Sequence, residues 1–177
     1  VIHEQNSVPG MANRLAGRLA NRICISLPCE PPFPPAKTVR TGNPVRQEIL
    51  AAAKGARPAH QVPTLLVLGG SQGAHRVNLL MLEAAPLLEA PGRPLHIIHQ
   101  TGAADEAMVR EGYRQAGVEA EVSAFIRDMA GVYLRADLAV SRAGATTLAE
   151  LAGMGLPALL VPYPHAGDNH QLTNGKY

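Results

Sequence analysis

The glycine-rich segment at residues 69–74 has the composition of a loop that binds an anion. It follows an apolar run at residues 65–68 and precedes a helical pattern. Glycines let a backbone turn tightly and approach a ligand, and a helix N-terminus beyond such a turn presents N–H groups and positive potential. The segment lacks the Gly-Lys-Ser/Thr ending of a P-loop and the spacing of a dinucleotide fingerprint. It therefore predicts either a phosphate or diphosphate held by backbone amides, or a tight strand-to-helix turn without a ligand.

Residues 141–150 form a second segment in which a strand passes into a helix. Thr146 or Thr147 can cap this helix, and Glu150 lies on the same face as Thr146, four residues further on. A carboxylate at this place can accept two hydrogen bonds from a ribose diol. Alternatively, it compensates the positive end of the helix dipole, and the spacing alone favours that second interpretation.

Residues 162–171 form a polar loop after an apolar strand. Asp168 or Asn169 can cap the helix that follows. His170 and Gln171 can form hydrogen bonds to sugar hydroxyls. A solvated loop with an ordinary helix cap explains the same residues equally well.

The run His3, Glu4, Gln5 and Asn6 supplies groups for acid and base catalysis at the end of a strand. It lacks the H-E-x-x-H spacing of a zinc-binding helix, so no metal site is predicted. The alternative interpretation is that these side chains form hydrogen bonds to the local backbone.

The first predicted helix, at residues 11–21, has one apolar and one basic stripe. Their members are spaced by four: Met11, Leu15 and Leu19, and Arg14, Arg18 and Arg22. The basic stripe can contact an anionic lipid or a diphosphate, although a solvated basic face is the interpretation that the pattern favours. The net charge is +5 over residues 1–60 and −3 over residues 61–177, which indicates that the two parts face different partners.

Composition and periodicity predict an α/β protein with a parallel sheet. Hydrophobic residues make up 46% of the chain but aromatic residues only 3%, so the core must be aliphatic, and a surface that stacks on nucleic-acid bases is not expected. Strands alternate with helices, which implies right-handed crossovers and binding beyond the carboxyl ends of the strands. The predicted strands are residues 1–3, 23–26, 39–42, 64–68, 95–99, 119–122, 137–141 and 158–161. The predicted helices are residues 11–21, 45–53, 74–88, 104–116, 127–134, 146–154 and one starting near 169.

Prolines, cysteines, apolar stretches and the ends of the sequence lead to four further expectations. Five prolines at residues 28–35 predict no regular structure there. Cys24 and Cys29 have no second pair, which favours two free thiols over a zinc site or a disulfide framework. No stretch approaches the ~20 apolar residues of a membrane span. The chain begins at Val1 within a predicted strand end and stops at Tyr177 within a predicted helix, so we expect a piece of a longer protein.

Taken together and in order, five motifs resemble the MurG family of bacterial N-acetylglucosaminyltransferases, which belong to glycosyltransferase family 28. They are His3-Glu4-Gln5-Asn6, Thr41-Gly42-Asn43-Pro44-Val45-Arg46, Gly69-Gly70-Ser71-Gln72-Gly73-Ala74, Ser141-Arg142-Ala143-Gly144 with Glu150, and Pro162-Tyr163-Pro164-His165 with His170-Gln171. The resemblance implies the GT-B architecture, which has Rossmann-like parallel sheets with helices on both faces. It implies that residues 1–45 end the acceptor domain, 46–63 are a short helix and linker, and 64–177 are a truncated donor domain.

The resemblance also implies roles for individual residues. Gly70, Ser71 and Gln72 would hold the donor diphosphate, Arg46 would contact the donor, and Ile126 would meet uracil through its backbone. Ala145, Thr146 and Thr147 would line the nucleotide, Glu150 would bind the ribose, and His170 and Gln171 would bind the sugar. His3 and Glu4 are the catalytic candidates, although the family's N-terminal glycine-rich loop, which this sequence does not include, could supply the general base instead. Asn6 and Asn78 would face the acceptor or the reacting centre.

The implied reaction is an inverting transfer of N-acetylglucosamine from UDP-N-acetylglucosamine to a lipid-diphosphate-linked muramyl-pentapeptide in peptidoglycan synthesis. It would proceed without metal or cofactor, at the cytoplasmic face of the bacterial plasma membrane and against its anionic surface, with no nucleic-acid partner. We expect the isolated chain to bind the donor weakly and to turn over little or nothing. A UDP-N-acetylglucosamine 2-epimerase and a non-catalytic nucleotide-sugar binding module are the alternatives.

Overall fold

A computed structural model describes residues 1–59, 61–69, 74–88, 94–164 and 169–177. The chain divides into two compact units. The first unit comprises Val1–Arg46, Ala143–Glu150 and Pro162–Tyr177, and the second comprises Gln47–Arg142 and Leu151–Val161. In the part of the chain that is described, each helix is too short or too polar to cross a bilayer.

The first unit contains a three-stranded parallel sheet in the order β1-β2-β3. The strands are β1 (Ile2–Glu4), β2 (Ile23–Ile25) and β3 (Thr38–Arg40), and helix α1 (Met11–Leu19) connects the first two. The small core beneath them consists of Ala20, Ile23, Cys29 and Phe33. Helix α1 approaches this core through Gly17, where an added Cβ would lie 3.0 Å from the Phe33 ring.

The second unit contains a five-stranded parallel sheet in the order β6-β5-β4-β7-β8. Its strands are β4 (Thr64–Leu68), β5 (His96–Gln100), β6 (Ala120–Ser123), β7 (Leu138–Ser141) and β8 (Ala158–Leu160). The central strand β4 is buried along its whole length, as its unbroken apolar run predicts. Its side chains pack with those of helices α3 (His75–Leu88) and α4 (Glu106–Ala116).

Further helices lie in the described part of the chain. They are α2 (Gln47–Ala52), α5 (Met129–Arg135), α6 (Ala145–Met154) and α7 (His170–Asn174). The predicted α/β class with parallel sheets is confirmed, and each predicted strand and helix is present with shifts at its ends.

Three local predictions were wrong. Residues 28–35 were expected to lack regular structure, but a 3₁₀-helix begins at Pro35, because the fixed φ of proline suits a first helical position. Helix α6 begins at Ala145, so Thr146 and Thr147 lie within its first turn and do not cap it. Helix α1 ends at Leu19, which leaves Arg22 beyond the helix that was expected to display it.

Candidate functional site

His3 and its neighbours lie at the carboxyl end of β1, in the first unit. The Nε2 atom of His3 lies 3.2 Å from the carbonyl oxygen of Gly42 and 3.2 Å from Oγ of Ser26. Because a carbonyl can only accept, Nε2 carries the proton that it donates to Gly42. In the neutral imidazole, Nδ1 then holds the lone pair, which is the group that a general base needs.

The Glu4 carboxylate organises the loop that follows β1. Its Oε1 accepts from the backbone N–H of Asn6 at 2.9 Å, and its Oε2 accepts from the Gly10 N–H at 3.0 Å and from Asn13 at 2.9 Å. Burial raises the pKa of this carboxyl, but the hydrogen bonds from Asn13, Asn6 and Gly10 outweigh it, and the pKa lies below its ordinary value. These contacts support a positioning role, and the catalytic role of Glu4 stays a prediction.

Asn174 is a buried residue that the sequence did not single out. Its Oδ1 accepts from both the backbone N–H and the hydroxyl of Ser7, at 2.9 and 3.0 Å. Its Nδ2 donates to Oδ1 of Asn6 at 3.0 Å and to the carbonyl of Ala143 at 3.2 Å. The Asn174 amide thus accepts two hydrogen bonds and donates two. Its bond to Asn6 fixes the orientation of the Asn6 amide, because the acceptor there must be Oδ1. Together the four bonds join three segments of the first unit.

Arg46 and Glu150, which the resemblance assigns to the donor, form an ion pair within the first unit. The Nε atom of Arg46 lies 3.1 Å from Oε1 of Glu150, and the Glu150 side chain is only 9% exposed while that of Arg46 is 44% exposed. The burial and the fixed partner orient the Glu150 carboxylate.

Nearby on α6, the Thr146 hydroxyl accepts a long hydrogen bond of 3.5 Å from Asn43. The Oδ1 atom of Asn43 is buried and has no hydrogen-bond partner among the described residues. Of the other predicted nucleotide contacts on this helix, Ala145 is buried and Thr147 half-buried.

The predicted sugar-binding residues lie at the start of α7. Oε1 of Gln171 accepts from the backbone N–H of Tyr163 at 2.9 Å, and half-buried His170 is the first residue of the helix. Asn169 is at the N-cap with a φ of 52°, but its side chain makes no capping hydrogen bond, so that prediction was wrong in its mechanism. Asp168, the other cap candidate, lies outside the described residues.

In the second unit, the glycine-rich segment at residues 69–74 follows the strand at which the sheet order reverses. The order β6-β5-β4-β7-β8 changes direction at β4, and open parallel sheets bind ligands beyond the carboxyl ends of strands at such a point. Gly69, the first residue of this segment, donates to the carbonyl of Gln100 at 3.3 Å. Gly70, Ser71 and Gln72 lie outside the described residues.

Asn78, in the first turn of α3, is fully buried in a chain of hydrogen bonds. Its Nδ2 donates to the Thr101 carbonyl at 3.0 Å and to the Asp105 carboxylate at 2.8 Å, and its Oδ1 accepts from Nε2 of His99 at 3.0 Å. Nδ1 of His99 accepts in turn from the Tyr113 hydroxyl at 2.9 Å. Direct contact between Asn78 and a substrate stays a prediction that these contacts do not support.

The ionisable groups in this chain of hydrogen bonds have pKa values displaced from their ordinary ones. Burial lowers the pKa of His99 to about 4 and raises that of Tyr113. Slight burial raises the pKa of Asp105, but hydrogen bonds from His75 and Asn78 outweigh it and lower the pKa. His99 is therefore a neutral donor and acceptor in the core near neutral pH.

Ile126, the predicted uracil contact, lies in the loop between β6 and α5. Its backbone N–H donates to Oε1 of Gln100 at 2.9 Å, and Gln100 is 5% exposed at the end of β5. This partner could not be predicted from the sequence, because an amide at a strand end does not reveal which loop it contacts.

Cys24 and Cys29 are both free, as predicted. Burial, with the Glu4 charge adding to it, raises the pKa of Cys29 to about 11, which makes it an inert thiol. No group of three or more His, Cys, Asp or Glu side chains that could hold a metal occurs among the described residues.

Parallel sheets with helices, arranged in two units, agree with the GT-B-like fold of glycosyltransferases. The C-terminal domain of glycosyltransferase family 28 matches residues 64–177, and the chain belongs to this family.

Relatives match the chain from end to end. The UDP-N-acetylglucosamine–N-acetylmuramyl-(pentapeptide) pyrophosphoryl-undecaprenol N-acetylglucosamine transferase of Desulfotalea psychrophila is 52% identical over 100% of this chain and 48% of its own length. The crystal structure of Acinetobacter baumannii MurG is 37% identical, with a TM-score of 0.78, over 99% of this chain and 49% of that one. The glycotransferase of kitacinnamycin, 20% identical with a TM-score of 0.60 over 95% of this chain and 42% of that one, shares the fold. The chain spans about half the length of the curated relatives it matches.

Proposed function

We propose that the protein carrying this chain transfers N-acetylglucosamine from UDP-N-acetylglucosamine to undecaprenyl-diphosphate-linked N-acetylmuramyl-pentapeptide, the step that makes lipid II from lipid I. The observation that carries this proposal is the identity of about one half, over the whole chain, with transferases of that name. The acceptor hydroxyl attacks the anomeric carbon, its proton passes to a base, and UDP leaves with inversion. The protein must therefore supply a base and stabilise the leaving diphosphate.

The donor roles in this proposal are assigned residue by residue. Ser71 and the neighbouring amides of the glycine-rich segment bind the diphosphate, and the loop containing Ile126 binds uracil. Glu150 accepts hydrogen bonds from the ribose hydroxyls, which suits a carboxylate that Arg46 holds in one orientation. Gln171 binds the sugar, and its bond to the Tyr163 backbone places its Nε2 donor group.

The acceptor roles are assigned to the carboxyl end of β1 and the loop after it. His3 is the proposed general base through Nδ1, because its Nε2 proton is committed to Gly42. Asn6 is the proposed acceptor contact, since Asn174 holds its Oδ1 and leaves the amide in a defined orientation. Glu4 closes the loop and holds the backbone of Asn6 in place.

We further propose that α1 contacts an anionic membrane surface at the cytoplasmic face of the plasma membrane. Met11, Leu15 and Leu19 on this helix are 80%, 57% and 88% exposed, which is unusual for large apolar side chains at i, i+4 and i+8. Arg14 and Arg18 lie exposed on the same helix. Apolar and basic side chains together are the chemistry by which a helix binds an anionic interface.

Calorimetric titration with UDP-N-acetylglucosamine tests the donor assignment. We expect uridine-selective binding over dTDP- and GDP-sugars, and binding weaker by about 10- to 100-fold in Glu150→Gln, because hydrogen bonds to a charged group contribute about 1.5–3 kcal/mol. Glu119→Gln, an exposed glutamate of the second unit, is the matched control and should bind as the wild type does. Equal binding by both variants would refute the role of Glu150.

Radiolabelled UDP-N-acetylglucosamine separates the reaction classes in the full-length protein. Transfer of label only when the lipid-linked acceptor is present would support the transferase. Conversion of the sugar without an acceptor would identify an epimerase, and donor binding with neither reaction would identify a binding module.

Vesicle sedimentation tests the membrane contact. We expect the chain to bind vesicles with anionic lipid more strongly than zwitterionic vesicles, and Leu19→Glu to reduce this binding. Leu87→Glu alters another highly exposed leucine, on α3, and should leave binding unchanged. Equal loss in both variants would mean that α1 is not the contact.

A further inference from the structure

His3, Ser26 and Gly42 come together at the carboxyl end of the first unit's sheet. His3 is on β1, Ser26 follows β2 directly, and Gly42 lies two residues beyond β3. The three strands are neighbours in the order β1-β2-β3 and run parallel, so their carboxyl ends meet at one edge. The imidazole of His3 therefore contacts the ends of both other strands.

Backbone hydrogen bonds fix the two groups that contact the imidazole. The Ser26 N–H donates to the Glu4 carbonyl at 2.9 Å, and the Thr41 N–H donates to the Ile25 carbonyl at 3.0 Å. Ser26 is only 7% exposed, and Gly42 has a φ of 74°, in the left-handed region that favours glycine. The strand ends thus determine where the Ser26 hydroxyl and the Gly42 carbonyl lie.

The Nε2 atom of His3 has these two oxygens at the same distance. It lies 3.2 Å from the Gly42 carbonyl oxygen and 3.2 Å from Oγ of Ser26. The carbonyl can only accept, so it sets the tautomer, whereas a hydroxyl oxygen can also accept from the N–H that results. A ring held by one acceptor can still turn about that hydrogen bond. A second contact, on another strand, removes this freedom.

The other ring nitrogen of His3, Nδ1, has no hydrogen-bond partner in the described part of the chain. With Nε2 as the N–H donor, Nδ1 carries the lone pair of the neutral ring. The half-buried imidazole therefore keeps one acceptor for a donor that these residues do not supply. The acceptor hydroxyl of the proposed reaction has the proton that such a nitrogen takes up.

We propose that Ser26 is a positioning residue for His3. Its hydroxyl and the Gly42 carbonyl together hold the imidazole in the Nε2–H tautomer and in one orientation, and they leave Nδ1 for the acceptor hydroxyl. Ser26 acts through the imidazole and not on the substrate. This inference rests on the proposed function, because it takes His3 as the general base.

Steady-state kinetics of the full-length protein test the role of Ser26. In Ser26→Ala we expect kcat to fall about tenfold, the effect of one hydrogen bond, while KM for donor and acceptor stays unchanged. Ser26→Thr keeps the hydroxyl and should keep the wild-type kcat. Thr38→Val is the matched control, because it removes a hydroxyl of the same sheet that donates to the Pro34 carbonyl at 2.8 Å, and its kcat should not change.

Nitrogen-15 NMR of the chain labelled at histidine tests the geometry without the reaction. At about pH 9, where histidine is neutral, wild-type His3 should show a protonated Nε2 and an unprotonated Nδ1, with His3→Gln assigning the signals. Gly42→Ala should displace the carbonyl, because alanine is strained at a φ of 74°, and both tautomers should then be present.

Gly117→Ala is the matched control for this variant. Gly117 has a φ of 70°, and no described atom lies within 4 Å of a Cβ added at either glycine. The control therefore imposes the same strain in the second unit and should leave both the His3 spectrum and kcat unchanged. Circular dichroism establishes which variants fold, and a fall in kcat confined to Gly42→Ala is the kinetic test if Ser26→Ala does not fold.

The outcomes separate the two claims. A wild-type His3 protonated at Nδ1, or a folded Ser26→Ala with the wild-type kcat, would overturn this inference and leave the proposed function standing. A rise in KM without a fall in kcat, or an equal loss in Ser26→Thr, would show a structural role only and would also overturn it. A full-length protein that transfers no sugar would overturn both.

Discussion

Acidification should destabilise the second unit through one buried imidazole, that of His99. The folded protein holds the pKa of His99 at about 4 because the ring is desolvated, whereas the unfolded chain has the ordinary value of 6.5. Between these values the unfolded chain binds a proton that the folded chain excludes. The contribution of His99 is therefore complete above about pH 6.5 and is lost as the pH falls towards 4.

The magnitude follows from linkage. Integrating proton uptake for these two pKa values gives a loss of about 2 kcal/mol between pH 7 and pH 5. This interval lies above the ordinary range of carboxyl groups. The groups that face His99 do not compete, since Asn78 does not titrate and burial raises the pKa of Tyr113.

Urea unfolding at pH 7, 6 and 5 measures the effect, with His99→Gln as the comparison. Glutamine can still donate to Asn78 but has no proton to gain, so this variant should lose about 2 kcal/mol less than the wild type over the interval. Contributions that other titrating groups make in both proteins cancel in the difference. Parallel pH profiles for the two proteins would refute the argument that a neutral buried His99 stabilises the fold.

Two further predictions concern the first unit. Asn174→Leu should lower the free energy of unfolding by about 2–4 kcal/mol, because it leaves the buried Ser7 donors and the Asn6 oxygen without their partner. Urea unfolding measures this change, with Asn21→Leu, at an exposed asparagine, as the control. Glu4→Gln should lower the free energy of unfolding by about 2 kcal/mol at pH 7. The amide has one oxygen acceptor, whereas the Glu4 carboxylate accepts hydrogen bonds at both of its oxygens. Because the pKa of Glu4 is lowered in the folded protein, the carboxylate stabilises the fold above the unfolded pKa of 4.5, and this stabilisation is lost as the pH falls below it. The difference in unfolding free energy between wild type and Glu4→Gln should therefore shrink in acid. A difference that stays constant with pH would contradict this.

The strands and helices could be predicted because their signals are local. An apolar run such as residues 65–68 predicts a buried strand, because it is short, glycines follow it and a helical pattern begins after them. The predicted helix ends were less accurate, because the start of a helix depends on which side chain accepts a hydrogen bond from a backbone N–H of its first turn. Asp128, for example, caps α5 through its bond to Gly131 and moves the start of that helix to Met129.

The hydrogen-bond partners within the candidate site could not be predicted, because they join residues far apart in the chain. Asn174 and Ser7 are separated by 167 residues, and Arg46 and Glu150 by 104. A sequence shows that an amide or carboxylate is present at a strand end, but not whether a buried donor will occupy it. For this reason the sequence could not show that Glu4 holds the loop after β1 through hydrogen bonds to its backbone. It also could not show that buried Asn78 bonds to His99 and Thr101.

Burial divides the polar residues at the strand ends into two groups with different consequences for function. Glu4, Asn78, Gln100 and Asn174 are buried, and their polar atoms bond to the backbone or to other side chains. A ligand cannot bind such groups without first breaking these bonds, and the buried acceptor or donor left behind would cost about 1–3 kcal/mol. We therefore expect substitutions at these four positions to act through stability and loop geometry, whereas substitutions at half-buried residues such as His3 act on the chemical step itself.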